Sequence, residues 1–230
     1  REAQRIAWPQ TDDAFDGPMS LAWQWNANPQ NDWMSLTAHP GHLRLRSVSV
    51  PANLYESGAQ LTQKLPGPAF TATTKMSFSP TRVGEQAGLV MFGYDYSWIG
   101  LKNTGQGVRL VQRTALKAET GAAEKELANL AIPAGPVWLR MSATPVTNQI
   151  NPSGENGPCA SKGREVNARV RFSYSTDGVT FTPIGEEFTS RVSRWVGAQV
   201  GIFAASPTGT PSFVATTVGY ADFDTFQVTK

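Results

Sequence analysis

Leu21-Ala22-Trp23-Gln24-Trp25-Asn26-Ala27-Asn28-Pro29-Gln30-Asn31-Asp32-Trp33-Met34-Ser35-Leu36 is the stretch from which the rest of the chain can be read. It holds three of the seven tryptophans, with three asparagines and one proline between the first and the last. A strand that only had to be buried would use Val, Ile and Leu. Alternating Trp with Gln and Asn instead sets a flat apolar ring beside amide donors and acceptors, the chemistry a sugar surface needs. Tryptophans in an all-β chain also plug sandwich cores, so both readings stand at this point. If the strand is regular, Trp23 and Trp25 share a face and are both core or both ligand-lining, while Asn26 and Asn28 take the opposite face.

Downstream, the same two-residue period recurs. Leu43 and Leu45 alternate with Arg44 and Arg46; Ala72, Thr74, Met76 and Phe78 share a face of Phe70–Phe78. Ala87–Tyr94, Trp98–Lys102, Val108–Arg113, Val137–Met141 and Val170–Tyr174 follow, each ending near Gly, Pro or Asn. Asp177-Gly178 reads as a tight turn into Val179–Ile184, and the last strands are expected at Val196–Ala204, Phe213–Val218 and Ala221–Val228. Ala115–Leu130 is rich in helix formers, but Gly121 sits in its middle and its apolar positions keep no helical face. It reads as a hairpin arm or loop with at most a short turn. Thr144–Asn167, dense in Pro, Gly and Asn, reads as a long surface loop. The sum is an all-β, antiparallel two-sheet β-sandwich in a single domain, with no repeat of the kind that builds propellers or solenoids.

Composition narrows the function. The 230 residues are 40% hydrophobic and 17% charged, enough for one sizeable core, and 20 basic and 18 acidic residues are interspersed to a net charge of +2. This argues against a nucleic-acid or anionic-membrane partner. No run approaches the roughly 18 apolar residues of a spanning helix, and no signal peptide is evident, though the chain opens at Arg1 and not at Met. The lone Cys159 lies in the Gly/Pro/Asn-rich loop, can form no internal disulfide and does not settle the compartment.

Catalytic constellations are weak. Polysaccharide hydrolysis calls for two facing carboxylates. Glu186 and Glu187 are neighbours that would point to opposite faces of a strand, and Glu124 and Glu126, though of the right parity, lack a convincing motif context. The only histidines, His39 and His42, flank a Pro-Gly turn, a poor platform for a base. There is no Gly-x-Ser-x-Gly elbow and too few ligands for zinc. Calcium is more open: Asp13 and Asp16 near the start, with Asp222 near the end, could gather around it if the first and last strands are neighbours. Acidic turn residues and edge-strand charges are the plainer account of the same three.

What remains is aromatic. Tyr94-Asp95-Tyr96-Ser97-Trp98 carries three rings at alternate positions, and with Trp25, Trp33, Trp138, Trp195 and Phe203 it forms a set of which some must be core. Pyranose rings pack on such platforms beside amides and guanidiniums. The expected ligand-binding set is therefore Trp25, Asn26, Asn28, Arg46, Gln63, Tyr94, Tyr96, Trp98, Arg140 and Phe203, with Gln24 as a further amide. An exposed aromatic patch could equally dock another domain.

Leu21–Pro29, Trp33-Met34-Ser35-Leu36-Thr37 and Pro40–Arg46 together resemble the opening of the C-terminal concanavalin A-like domain of glycoside hydrolase family 43 β-xylosidases, also classed as a xylan-binding module. Similar stretches are Leu61–Lys64, Ala87–Phe92, Trp98–Lys102, Phe172–Gly178, Val200–Phe203 and Ala221–Phe226, so the resemblance covers nearly everything from about Asp12 onward. It implies a concanavalin A-like jelly roll over residues 12–230, preceded at 1–11 by a linker or the remnant of an upstream catalytic propeller. It also implies a chain that is not itself an enzyme, and a secreted or periplasmic setting. The implied partners are xylan or xylo-oligosaccharide and the propeller of the same polypeptide, with the exposed aromatics either binding the glycan or closing the catalytic pocket. Ala14 stands where the family usually has a second aspartate before Phe15, which weakens a calcium site there. Two other classes stay open: a self-contained sandwich-type glycan hydrolase or lyase, and a laminin-G-like protein-interaction module.

Overall fold

The computed structural model describes residues 11–50, 52–67, 69–148, 165–193, 197–207 and 217–230. Within these, alternating and fully apolar runs form fifteen strands in two sheets. One sheet takes β1 (Gln24–Trp25), β5 (Gln60–Lys64), β14 (Gln199–Ser206), β7 (Gln86–Phe92), β8 (Tyr96–Asn103), β9 (Val108–Ala115) and β10 (Lys125–Ala131) in that spatial order, and β4 (Val48–Ser49) pairs in parallel with β14. The other runs β13 (Thr182–Thr189), β12 (Glu165–Ser175), β11 (Val137–Asn148), β6 (Phe70–Ser79), β15 (Tyr220–Thr229), β3 (Leu43–Arg46) and β2 (Met34–Ser35). Apart from the β4–β14 contact every strand pair among the described residues is antiparallel, as a sandwich of hairpins and crossovers requires.

The two inner faces meet in one core. Leu43 and Leu45 of β3, Ala72 and Met76 of β6, Leu139 and Met141 of β11 and Phe223 and Phe226 of β15 face Leu61, Leu89, Ile99, Leu110 and Ile202 of the opposite sheet. The alternation that the sequence shows is thus the inside-outside alternation of the seven-stranded sheet, whose outer face carries Ser, Thr, Arg and Lys together with Trp138, Tyr220 and Asp222.

The eight-stranded sheet breaks that rule, for a visible reason. Every residue of β7 and of β14 is buried, because the outer face of this sheet is also covered. Segments around the single 3-10 turns Leu54–Glu56 and Ala118–Thr120 lie across it and enclose a second apolar cluster containing Val50, Leu54, Val90, Phe92, Tyr96, Trp98 and Phe203. Asn53 ties the two segments together, its side-chain amide donating to the carbonyls of Ala118 and Ala122 at 3.0 and 2.8 Å.

Ala115–Leu130 proves to be the end of β9, the short turn and β10, as expected of a hairpin arm. The expected loop Thr144–Asn167 is shorter than the sequence suggests. Thr144–Asn148 pairs residue by residue with Glu165–Arg169, so both ends of that segment belong to a long β11–β12 hairpin. Residues 149–164, with Cys159, and the strand expected at Phe213–Val218, apart from its last two residues, lie outside the described residues. Among the described residues no helix is long and apolar enough to cross a membrane.

Candidate functional site

The covering segments leave one end of the outer face open. There the register of the eight-stranded sheet sets Gln24 of β1 opposite Thr62 of β5, and Gln199 of β14 opposite both Lys64 and Phe92. The result is a groove of about 340 Å³ lined by Gln24, Trp25, Asn26, Tyr55, Thr62, Phe92, Ser193 and Gln199. Gln199 donates from Nε2 to Oε1 of Gln24 at 3.3 Å, and Asn26 donates from Nδ2 to the carbonyls of Tyr55 and Ser57 at 3.0 and 3.1 Å, fixing the rim. The Tyr55 ring stacks on Phe92 at 5.7 Å and on Tyr94 at 6.2 Å, while the guanidinium of Arg191 lies 5.6 Å over Tyr94.

None of the eight lining residues is ionisable except the phenol of Tyr55. The groove therefore offers aromatic faces, amides and hydroxyls, and nothing that could serve as a carboxylate acid or base at neutral pH. A neutral polyhydroxylated ligand suits it.

Of the expected ligand residues, Trp25, Asn26 and the accompanying Gln24 come together here. Trp25 is half-buried, opposite Leu61 with its side chain packed against the core, and lines the edge of the groove beside Gln24 and Asn26; Tyr94 stands at the rim through its stack on Tyr55. The pairing of Trp23 with Trp25 is half right. Both lean inward, but Trp23 is buried at 8% exposure, edge-on to Phe226 at 4.9 Å.

Three expected platform residues are corrected. Tyr96, Trp98 and Phe203 are wholly buried on the covered outer face and offer no surface to a ligand. Their polar atoms are used internally. The Tyr96 hydroxyl accepts from the Leu54 amide at 3.0 Å and donates to Glu124 at 2.7 Å, and the indole N–H of Trp98 donates to the same carboxylate at 3.0 Å. Burial, then the Glu124 charge, pushes the Tyr96 phenol far up. Arg113 holds Glu124 at 2.8 Å and Glu126 at 3.0 Å, so neither glutamate faces an open cleft as a catalytic carboxylate would.

Others are in the wrong place. Gln63 points into the core, where its Nε2 donates to the Thr11 carbonyl at 3.0 Å; Arg46 and Arg140 lie on the outer face of the other sheet; Asn28 is exposed beyond the groove. Trp195 lies outside the described residues. The residues that sequence reasoning missed are Tyr55, Thr62, Phe92, Ser193 and Gln199. Phe92 closes an uninterrupted apolar run in which periodicity carries no facing information, and Tyr55 lies in a segment with no strand pattern.

The three aspartates expected around calcium are not brought together. Asp13 bridges to Phe226, four residues along β15 from Asp222, a separation of about 13 Å at strand rise. Its carboxylate is already occupied: Oδ1 accepts from the Phe15 amide at 2.9 Å and Oδ2 from the Trp23 indole at 2.9 Å and the Ser20 amide at 3.4 Å. Asp222 accepts from Arg44 at 2.7 and 2.8 Å and faces His39 at 2.9 Å. Asp16 is exposed in its turn. Among the described residues no group of three His, Cys, Asp or Glu side chains could hold a metal.

Fold and groove together define a concanavalin A-like antiparallel sandwich with one open, uncharged, aromatic and amide-lined site. The chain matches the family of beta xylosidase C-terminal concanavalin A-like domains over residues 12–229, and it belongs to that family. A beta-xylosidase of Formosa agariphila is 25% identical over 222 residues, covering 86% of this chain and 33% of the relative. A non-reducing end alpha-L-arabinofuranosidase of Bacteroides ovatus is 30% identical over 143 residues, covering 60% of this chain and 26% of its own length. Among solved structures, a bifunctional GH43-CE protein of Bacteroides eggerthii superposes with a TM-score of 0.76 at 25% identity, over 97% of this chain and 26% of that one. The chain thus spans only about a third or less of these relatives.

Proposed function

We propose that this chain is the non-catalytic accessory module of a xylan-degrading glycoside hydrolase and that its groove holds a short neutral stretch of xylan or xylo-oligosaccharide. The observation that carries the reading is the lining itself. The aromatic side chains of Tyr55 and Phe92, with Trp25 at the edge, among the amides and hydroxyls of Gln24, Asn26, Gln199 and Thr62, match the alternating apolar faces and hydroxyl rims of pyranose units, and the cavity is within the usual range for ligand sites. Family membership supports the accessory role, since the relatives are two to four times longer than this chain and are named for xylosidase and arabinofuranosidase activities. In the same reading, the module adjoins a catalytic propeller of its own polypeptide and works where xylan is met, secreted or in the periplasm. The fully exposed Leu21, on the rim of a hollow lined by residues 12–22, suits a contact with that neighbour.

The test is affinity electrophoresis and pull-down on insoluble xylan. Gln24→Ala and Trp25→Ala should each weaken retention about tenfold or more, Gln24→Ala without a measurable fall in melting temperature because it is exposed. Unchanged retention in both variants overturns the groove as the glycan site.

A further inference from the structure

The outer face of the seven-stranded sheet, partly exposed at Thr73, Lys75, Trp138 and Arg140, carries its own arrangement. Register places Arg140 of β11 between Thr73 of β6 and Ser173 of β12, and Trp138, two residues back on the same face, between Lys75 and Ser175. The guanidinium of Arg140 lies 3.3 Å over the ring of Phe181 and donates from Nε to the Thr73 hydroxyl at 3.0 Å. Lys75 sits 5.3 Å over the Trp138 ring.

Charge on this face is unevenly settled. Lys75 is paired with Asp224, and Arg169 and Arg171 share Glu187 at 2.9 and 2.8 Å. The Asp177 carboxylate at the top of the hairpin is turned back on its own loop, accepting from the Ser175 hydroxyl and the Val179 and Thr180 amides. Arg140 has no acidic partner among the described residues. It is half-buried, and burial pulls its pKa down, the mark of a cation that has lost water without gaining an anion.

A guanidinium held flat by a ring and a hydroxyl keeps its remaining N–H donors in a fixed fork, the geometry that takes a carboxylate bidentately. The neighbouring Trp138 and Phe181 rings and the Ser and Thr hydroxyls suit a sugar and not a bare anion. We propose that Arg140, with Phe181, Thr73 and Trp138, forms a second glycan site on the opposite face from the groove, one that recognises a uronate carboxylate on a substituted xylan chain. The inference rests on the reading of the chain as a glycan-associated module, but not on the groove.

The experiment compares retention of the chain on glucuronic acid-substituted xylan with retention on the same polymer after chemical reduction of its carboxyl groups to alcohols. The wild-type chain should be held several-fold more strongly by the acidic polymer, and the advantage should vanish in high salt. It should be lost in Arg140→Gln and reduced in Phe181→Leu, and kept in Trp25→Ala. Melting temperatures identify any variant that fails to fold, and Phe181→Leu stands in if Arg140→Gln does so. Equal retention of the two polymers by the wild type overturns the site, as does an undiminished advantage in a folded Arg140→Gln chain. A wild-type chain that fails to bind neutral xylan yet keeps the acidic advantage would instead count against the groove alone.

Discussion

Asp222 shows how one carboxylate can be read two ways. Near a turn and close to other acids in sequence, it suits a cation; in the fold it sits at 7% side-chain exposure under the Arg44 fork, with His39 beside it and the Arg44 guanidinium stacked 3.8 Å over Tyr220. Burial by itself would raise its pKa, but the Arg44 hydrogen bonds and then His39 outweigh burial and hold the carboxyl below its usual range. The stabilisation is therefore complete above the unfolded carboxyl pKa of about 4 and is lost as pH falls through the lower folded value. Asp222→Asn should cost about 3 kcal/mol at neutral pH, where it strands Arg44, and urea titrations of the variant should lose less further stability below about pH 4 than those of the wild type. Asp13 is similar: three N–H groups fill its lone pairs and hold the left-handed turn at Phe15, φ 53°. The residue type was legible as important. Its partners were not, because Arg44 reaches Asp222 through a strand pairing, and Trp23 reaches Asp13 through a turn, that no local pattern encodes.

Strands behave differently. Where one face meets solvent, as in β3, β6 and β11, alternation gave the facing of each side chain in advance. Where both faces are covered, as in β7 and β8, it could not, and Tyr96 and Trp98 passed for a surface platform although they are the sealed floor beneath Leu54 and Ala118. Trp25 and Asn26 of the groove were readable because β1 is short and half-exposed; Phe92 and Gln199 were hidden in fully buried runs. Close approach of neighbouring strands also constrains the backbone of this sheet. Gly88 of β7 and Gly100 of β8 face each other, and a Cβ on Gly100 would run into the Ala87 carbonyl oxygen and lie 2.7 Å from the Gly88 Cα. Gly100→Ala should cost several kcal/mol, about 3 or more, seen as a large drop in melting temperature or as insoluble expression, although alanine is otherwise the mildest replacement.

At the scale of the molecule, sandwich architecture and family were both present in the ordered motifs from Asp12 to Phe226, because a two-residue period and turn chemistry are local properties. How the sheets close is not local. Of the carboxylates grouped for calcium, Asp13 lies opposite Phe226, tied to Trp23 and backbone amides, and Asp222 lies four residues away on β15, tied to Arg44, so the melting temperature of the chain should be the same with and without a chelator; a fall on adding chelator would show an ion the described residues do not account for.

The strand order has a consequence for synthesis. β14 is the bridge between β5 and β7, and β15 is the bridge between β3 and β6. Each sheet thus stays split into two unjoined parts until residues 199–229 leave the ribosome, and the inner edges of those parts remain open to wrong partners meanwhile. Folding of this module is a late, closing event governed by long-range contacts, slow by the standard of helical domains, and a chain truncated before Gln199 would have neither sheet joined.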